Sequence, residues 1–211
     1  MVWVFPFLNS QKVWNLLIDR GDFMKRRIFG PKTWLYPMPV LIIGTYDENG
    51  NPNAMNAAWG GIYDYNQITI SLGAHRTTNN IRKNKAFTVS VGTRKTLEIC
   101  DYVGLVSQDK VKDKITKAGL HPVKSELINA PLFEEFPFTL ECKLISLDGE
   151  ENEGGTLIGQ IINVAVDPEI LNGDNVDIKK LEPIAFDPVN NEYLLLSEKA
   201  GDAFKAGLKL K

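Results

Sequence analysis

Hydrogen-bond donors are concentrated in one short segment of the sequence, between a predicted strand that ends near Leu72 and a predicted helix over residues 78–85. A helix start offers free backbone N–H groups and the positive end of the helix dipole, both of which suit a phosphate. In this segment an arginine would add charge and a threonine a hydroxyl group. Alternatively, a threonine only caps the helix and the arginine is a solvated surface charge. The candidate ligands of the segment are His75, Arg76, Thr77, Thr78 and Asn80.

A second segment, within residues 53–62, is predicted as a strand but contains unusually small side chains. Such a strand would let a flat ring lie against its backbone, with N–H groups and an amide side chain near the ring heteroatoms. A ring with a phosphate tail would satisfy both segments together. Alternatively, the small residues mark a bulge or tight packing inside a barrel. The candidate ring contacts are Met55, Asn56, Ala57, Ala58 and Trp59.

The motifs of several other chemistries are absent from the sequence. It contains no GxSxG, HExxH or GxGxxG motif and no glycine-rich loop that ends in Lys-Ser or Lys-Thr. His75 and His121 are the only histidines, so a multi-histidine metal site is excluded. No metal site is predicted, and no titrating side chain is assigned a catalytic role.

Composition excludes further classes of protein. The 211 residues carry a net charge of −2 and no basic block, so nucleic acid is not an expected partner. Two cysteines, Cys100 and Cys142, predict a reducing compartment and buried thiols rather than a disulfide framework. No apolar run approaches the roughly 20 residues of a membrane span. We therefore expect a cytoplasmic protein without a membrane partner.

Hydrophobic periodicity predicts a mainly β protein of the α+β kind, an antiparallel barrel with helical insertions. The predicted helices lie over residues 78–85, 96–107, 111–118 and 198–208. The predicted strands lie over residues 40–46, 53–62, 68–72, 87–91, 138–147, 157–166 and 193–196. Turn-forming residues close several of these strands into hairpins.

The predicted domain occupies residues 24–211, and residues 1–23 are interpreted as an N-terminal extension. The extension contains Trp3, Phe5, Phe7 and Trp14, which are costly to leave in water. It is interpreted either as a segment that docks on a protein or membrane surface, or as an appended leader upstream of a natural start at Met24. Its role is left open by the sequence.

Several stretches, in order along the chain, resemble the flavoredoxin group of the flavin-reductase-like, FMN-binding split-barrel family. The resemblance extends over residues 24–209 and depends on no single motif. It is carried by residues 36–39 (YPMP), 44–47 (GTYD), 55–61 (MNAAWGG), 85–90 (KAFTVS), 118–120 (AGL) and 140–142 (LEC).

The resemblance implies an antiparallel split β-barrel that binds FMN without a covalent bond. It also implies a homodimer with FMN near the subunit interface. Residues 55–59 would then lie along the isoalloxazine ring, and Thr77 would fall at the hydroxyl position close to the phosphate. His75 and Arg76 fall in a stretch that varies within the family, so their role depends on the donor argument above.

Two functions remain open from the resemblance. The first is an FMN-dependent oxidoreductase that takes electrons from NADH, NADPH or a protein donor and passes them to a redox partner protein or a small-molecule acceptor. The second is an FMN electron carrier, or flavin-binding protein, without NAD(P)H activity of its own. A barrel that binds no flavin is a more distant third reading.

Overall fold

The computed structural model describes residues 26–211, and Trp34–Lys211 form the structural unit that contains every element below. The extension predicted over residues 1–23 lies outside the described residues, so its role and its boundary stay predictions. The helices are α1 (Arg76–Asn84), α2 (Leu97–Leu105), α3 (Lys114–Lys117) and α4 (Ile178–Leu181). Short 3₁₀ helices occur at Arg94–Thr96, Pro168–Ile170 and Ala206–Leu210.

Antiparallel strands dominate the structure. They are β1 (Met38–Pro39), β2 (Leu41–Tyr46), β3 (Pro52–Ala57), β4 (Gly60–Asp64), β5 (Gln67–Leu72), β6 (Ala86–Val91), β7 (Pro122–Lys124), β8 (Pro131–Phe133), β9 (Phe138–Leu147), β10 (Gly155–Val166), β11 (Leu171–Asn172), β12 (Asn175–Val176), β13 (Ile184–Asp187) and β14 (Glu192–Leu195). Seven of them form one sheet in the order β3-β2-β6-β9-β10-β5-β4, and a second sheet has the order β1-β13-β14.

The two edge strands of the large sheet, β3 and β4, are separated in the chain by only Ala58 and Trp59. Ala57 and Gly60 are three Cα–Cα steps apart, at most about 11 Å. The edges of a flat seven-stranded sheet would lie about 29 Å apart at roughly 4.8 Å per strand. The sheet must therefore curl until its edges approach each other, which produces the antiparallel split barrel expected for the family.

Both faces of β2 are buried, which explains the unbroken apolar run at its start. Leu41 and Ile43 face the barrel interior, where Phe87 and Val89 of β6 belong to the same cluster. Ile42 packs on the opposite face, in a cluster that also contains residues of α2 and α3. Side chains that alternate between two faces are the expected period of a strand. This second cluster attaches the helices to the outside of β2 and β3.

Three predicted elements differ from the structure. The arm predicted over residues 53–62 is two strands, β3 and β4, at opposite edges of the sheet. The helix predicted over 111–118 is reduced to Lys114–Lys117, and that over 198–208 is absent, with only the 3₁₀ turn at Ala206–Leu210. Residues 200–211 are exposed, so no buried face stabilises a helix there.

Two smaller expectations concern burial. Cys100 and Cys142 are both free thiols inside the two apolar clusters, as predicted. Burial raises the pKa of the Cys100 thiol to about 11 and that of Cys142 to about 12, so both stay protonated near neutral pH.

Within residues 26–211, no helix has the length and apolar character needed to cross a lipid bilayer.

The first prediction concerns Gly159, where β10 passes directly over the Phe87 ring in the barrel interior. A Cβ added at Gly159 would lie 2.9 Å from Cε1 of Phe87 and closer still to Cζ. Since Phe87 is fully buried, its ring has little room to move. Gly159→Ala is expected to lower the free energy of unfolding by about 1–3 kcal/mol, measured by denaturant titration.

The matched control is Gly201→Ala, because a Cβ at Gly201 would contact nothing within 4 Å. This control should unfold at the wild-type denaturant concentration. Equal stability of the two alanine variants would mean that β10 shifts without cost.

Candidate functional site

The two segments selected from the sequence meet at one cavity of about 270 Å³, called here the first cavity. One side is formed by β3 and the other by the start of α1, while residues 103–109 close a third side. The predicted residues that line it are Met55, Asn56, His75, Arg76 and Thr77. Its further lining residues include Asn53, Gln108 and Lys114, which were not selected from the sequence.

A buried hydrogen bond joins the two sides of the first cavity. The Asn53 side chain donates from Nδ2 to Oγ1 of Thr77 at 2.8 Å, and both residues are almost completely buried. The hydroxyl of Thr77 is thereby fixed in position while its own proton remains free to be donated. Because β3 is also an edge strand, every second residue presents its backbone N–H and C=O away from β2.

The first turn of α1 is left without a side-chain cap. His75 is the N-cap residue, and its side chain makes no capping hydrogen bond. The threonine-cap interpretation therefore does not hold, because the Thr78 hydroxyl donates instead to the carbonyl oxygen of Gly73 at 2.8 Å. The first turn also contains no acidic residue. Its N–H groups and the positive end of the helix dipole can therefore receive an anion.

Arg76 is held between two carboxylates. Its Nη2 lies 2.8 Å from Asp47 Oδ2, and its Nη1 lies 2.8 Å from Asp109 Oδ1. Burial acts to raise the pKa of the Asp47 carboxyl, but hydrogen bonds from Asn51, Asn49 and Arg76 outweigh it and lower the pKa. The hydrogen bond from Arg76 is the main cause of the lowered pKa of Asp109. The arginine charge is thus already compensated inside the protein, contrary to the free positive charge expected from the sequence.

Unsatisfied polar atoms converge on the first cavity. Asn53 Oδ1, Arg76 Nε and Gln108 Oε1 are the buried side-chain atoms without a hydrogen-bond partner in the described part of the chain. All three residues line the first cavity. Because buried polar groups in folded proteins almost always have partners, three orphans at one place indicate a polar ligand. A donor and two acceptors of this kind fit the phosphate and hydroxyl groups of a flavin nucleotide.

Lys114 also reaches the first cavity from α3. The residue is only 2% exposed, and burial lowers the pKa of its amine to about 8. Among the described residues its ammonium group has no ion-pair or hydrogen-bond partner. The sequence contained a signal for this burial, because residues 111, 114, 115 and 118 share one helical face and three of them are apolar.

A second cavity, of about 250 Å³, shares Asn56, Gly104 and Leu105 with the first. Ala57 and Ala58 form its β3 side, so the small residues do open space beside the strand. The Asn56 amide is not free there, because its Nδ2 donates to the Cys100 carbonyl of α2 at 3.0 Å. Asn56 therefore fixes α2 against β3 on one side of both cavities.

A tyrosine of the second sheet closes this second cavity. The Tyr193 hydroxyl on β14 donates to Asp101 Oδ1 of α2 at 2.9 Å, and both residues line the cavity. Burial, reinforced by the Asp101 hydrogen bond, raises the pKa of Tyr193 to about 12. The phenol is therefore neutral near neutral pH. The sequence selected neither residue as a ligand, because their strand and helix are far apart in the chain.

The remaining predicted residues lie outside the two cavities. Thr78 is buried, and its hydrogen bond to Gly73 stabilises the turn between β5 and α1. Asn80 donates to Thr45 Oγ1 at 3.0 Å and so attaches α1 to β2. Trp59 is 56% exposed, and its carbonyl accepts a hydrogen bond from the Ser71 N–H. A role in cofactor binding stays a prediction for all ten selected residues. No group of three metal-ligating side chains occurs within residues 26–211.

Comparison with known proteins agrees with this architecture. Residues 34–181 match the family described as "Flavin reductase like domain". The chain belongs to this family. The structure superimposes on flavoredoxin of Desulfovibrio vulgaris (Miyazaki F) with a TM-score of 0.80 and 38% identity, covering 86% of this chain and 99% of that chain. It superimposes equally well, with a TM-score of 0.80, on flavoredoxin from Methanosarcina acetivorans at 27% identity, covering 89% and 100%.

A curated relative is more distant. The chain is 26% identical over 116 residues to an uncharacterized protein of Aeropyrum pernix, which corresponds to 54% of this chain and 44% of that protein. The chain therefore spans less than half of that relative. The flavoredoxin matches confirm the resemblance found in the sequence, and together with the family they support a flavin-binding redox protein.

The second prediction concerns how much the buried ammonium group of Lys114 destabilises the folded protein. Its amine titrates near pH 8 in the folded protein and near 10.5 when unfolded. Below about pH 8 both states are protonated, and the folded state bears the full cost of a buried ammonium. As pH rises from 8 to 10.5 the folded state loses this proton first, so the cost declines. Lys114→Met should therefore be more stable than wild type below pH 8.

This advantage of Lys114→Met over wild type should disappear by about pH 10.5. The measurement is urea unfolding of both proteins without ligand across this pH range. Comparison with wild type at each pH cancels the titration of the buried cysteines and tyrosines. A difference in stability that does not change with pH would show that the pKa of Lys114 is the same in the folded and unfolded states, so that its ammonium group bears no cost of burial.

Proposed function

We propose that this protein binds FMN non-covalently along β3 and acts as an FMN-dependent oxidoreductase. The observation that carries this proposal is the convergence of β3 and the start of α1 on one cavity that holds three unsatisfied polar atoms. Bound FMN would supply the electron-accepting and electron-donating chemistry. The residues of this chain would hold it, orient it and limit the access of water.

The first cavity would hold the phosphate end of the cofactor. The uncapped first turn of α1 offers backbone N–H groups, Thr77 offers its hydroxyl proton, and Arg76 offers Nε. Nε is the part of the arginine that its two carboxylates leave free, so Arg76 can donate to a phosphate without breaking either ion pair. His75, at the N-cap of α1, also lines this end.

The second cavity would hold the ring end. Ala57, Ala58 and Gly104 have no bulk that competes with a flat tricyclic ring. From Asn53 to Ala57 the strand advances about 13 Å at roughly 3.3 Å per residue. An elongated ligand could therefore place an anionic tail in the polar first cavity and an apolar head in the second cavity. Outward N–H groups of β3 would reach the ring heteroatoms in place of the Asn56 amide.

The proposal also includes the electron donor and the electron acceptor. We propose NADH or NADPH, with a redox protein or a small molecule as the acceptor. The family described by its flavin reductase like domain favours this reading. The 38% identity to a flavoredoxin favours the alternative, an FMN electron carrier without NAD(P)H activity of its own.

The third prediction separates these functions. The purified protein should be yellow, should release FMN on denaturation and should bind riboflavin more weakly than FMN, because riboflavin leaves the donors around Thr77 unused. Anaerobic mixing with NADH or NADPH should then bleach the flavin absorbance in a stopped-flow measurement. Bleaching by dithionite but by neither nicotinamide would support the carrier. A protein with no affinity for FMN or riboflavin would overturn both functions.

We further propose that the protein is a homodimer that buries β4. This edge strand exposes Ile62 by 70% and Tyr63 by 58%, and Trp59 beside it is also exposed. An exposed edge with aromatic and aliphatic side chains is costly in water and can pair with another chain. Because β4 begins two residues after β3, a partner there would lie close to the flavin cavities.

The fourth prediction tests this interface. Light scattering of the FMN-saturated protein should give about twice the chain mass of 23.6 kDa. Ile62→Glu should give the monomer mass and weaken FMN binding, since it places a charge in the buried surface. The control, Val176→Glu on β12, changes a side chain that is also partly exposed and should leave the dimer intact. A monomer with full FMN affinity would refute the proposal.

A further inference from the structure

We propose that Lys114 is the cation that pairs with the phosphate of bound FMN, an inference that rests on the proposed function. Lys114 was not among the residues selected from the sequence. It lies on α3, outside the β3 and α1 segments that suggested a flavin site, yet it lines the same cavity. The first cavity is therefore lined by α3 as well as by β3, the start of α1 and residues 103–109.

The first argument is burial without a partner. The Lys114 residue is 2% exposed, and within residues 26–211 its ammonium group neither forms an ion pair nor donates a hydrogen bond. Taking an ammonium group out of water is strongly unfavourable unless an opposite charge compensates it. The other lysine of α3, Lys117, is exposed and paired with Asp113 at 3.2 Å. An anion that enters the cavity would provide the compensation that the protein itself does not provide.

The second argument is the charge balance around the cavity. Arg76 lies between Asp47 and Asp109, so these three groups together carry a net charge of about −1. A phosphate monoester carries about −1.5 to −2 charges at neutral pH. Without another cation, the phosphate would meet a net negative surface. Lys114 brings the local charge to about zero and supplies three N–H donors.

The third argument is the position of α3. A neighbouring cavity of about 400 Å³ is lined by Thr116 from α3 together with Arg76, Pro52 and Gln108. The same helix therefore lies beside the first residue of β3 and beside Arg76. This is the end of the groove assigned to the phosphate, while the alanines of the second cavity lie at the other end of β3. The position favours the phosphate over the flavin ring as the partner of Lys114.

The test compares three proteins: wild type, Lys114→Met and Lys117→Met. Methionine is unbranched like lysine, is one atom shorter and carries no charge. Lys117→Met removes the same charge from the exposed face of the same helix. Dissociation constants for FMN and riboflavin are measured by fluorescence titration at fixed ionic strength. Lys114→Met should weaken FMN binding by about 10- to 150-fold, the range for one hydrogen bond to a charged group. Its riboflavin affinity should not fall, and Lys117→Met should behave as wild type.

Each other outcome overturns the inference in a distinct way. Equal weakening of FMN and riboflavin by Lys114→Met would mean that the lysine contacts the ring or supports the cavity. Unchanged affinity for both would mean that it contacts neither ligand. Should Lys114→Met fail to fold, Lys114→Gln is measured in its place, with the same expectations. The thermal melting curve of each variant without ligand establishes that it is folded.

A flavin-free measurement separates this inference from the proposed function. Inorganic phosphate should raise the melting temperature of wild type and Lys117→Met relative to chloride at equal ionic strength, but not that of Lys114→Met. If phosphate stabilises wild type through Lys114 and no flavin binds, the flavin function fails while the anion site stands. If FMN binds tightly and Lys114→Met retains both effects, the function stands and the role of Lys114 is refuted.

Discussion

The two-residue connection between β3 and β4 is the constraint on which the rest of the structure depends. It joins the opposite edges of a seven-stranded sheet and allows only a curled arrangement. The curl encloses the Phe87 core on the inside and leaves β3 as an open edge on the outside. α2 packs against that edge through Gly104 and Asn56, because glycine lets the helix approach the strand closely. The groove between β3 and α2 is therefore a direct consequence of closing the barrel.

The two cations at the phosphate end of this groove differ in how far their charges are compensated. Arg76 is the obvious cation, but Asp47 and Asp109 hold both of its terminal nitrogens. The two ion pairs orient the guanidinium and compensate its charge, and they leave Nε without a partner in a residue that lines the first cavity. The buried Lys114 is the group whose charge is not compensated, and burial makes that charge stronger in its effect on a ligand. Arg76 would thus position an anionic ligand, while Lys114 would supply the positive charge that attracts it.

The other end of the groove has a different character. Tyr193 and Asp101 satisfy each other, Asn56 is bound to the α2 backbone, and the alanines present only small apolar surface. Such a surface suits a flat ring whose own chemistry performs electron transfer, since the protein then contributes position and local polarity. Tyr193 also connects the second sheet to α2, so the C-terminal strands complete the site although the family match ends at residue 181.

The sequence by itself determined the elements whose signals are local. Period-two alternation and hairpin turns predicted most strands, and the structure places residues 75–77 and residues 55–56, selected from two separate segments, around one cavity. The sequence did not reveal that residues 53–62 contain two strands at opposite edges, nor that Arg76 is compensated by carboxylates 29 and 33 residues away. Only the tertiary structure decided these points and the burial of Lys114. The physical reason is that solvation and charge pairing depend on groups brought together by folding, whereas periodicity and turn chemistry depend on neighbours in the chain.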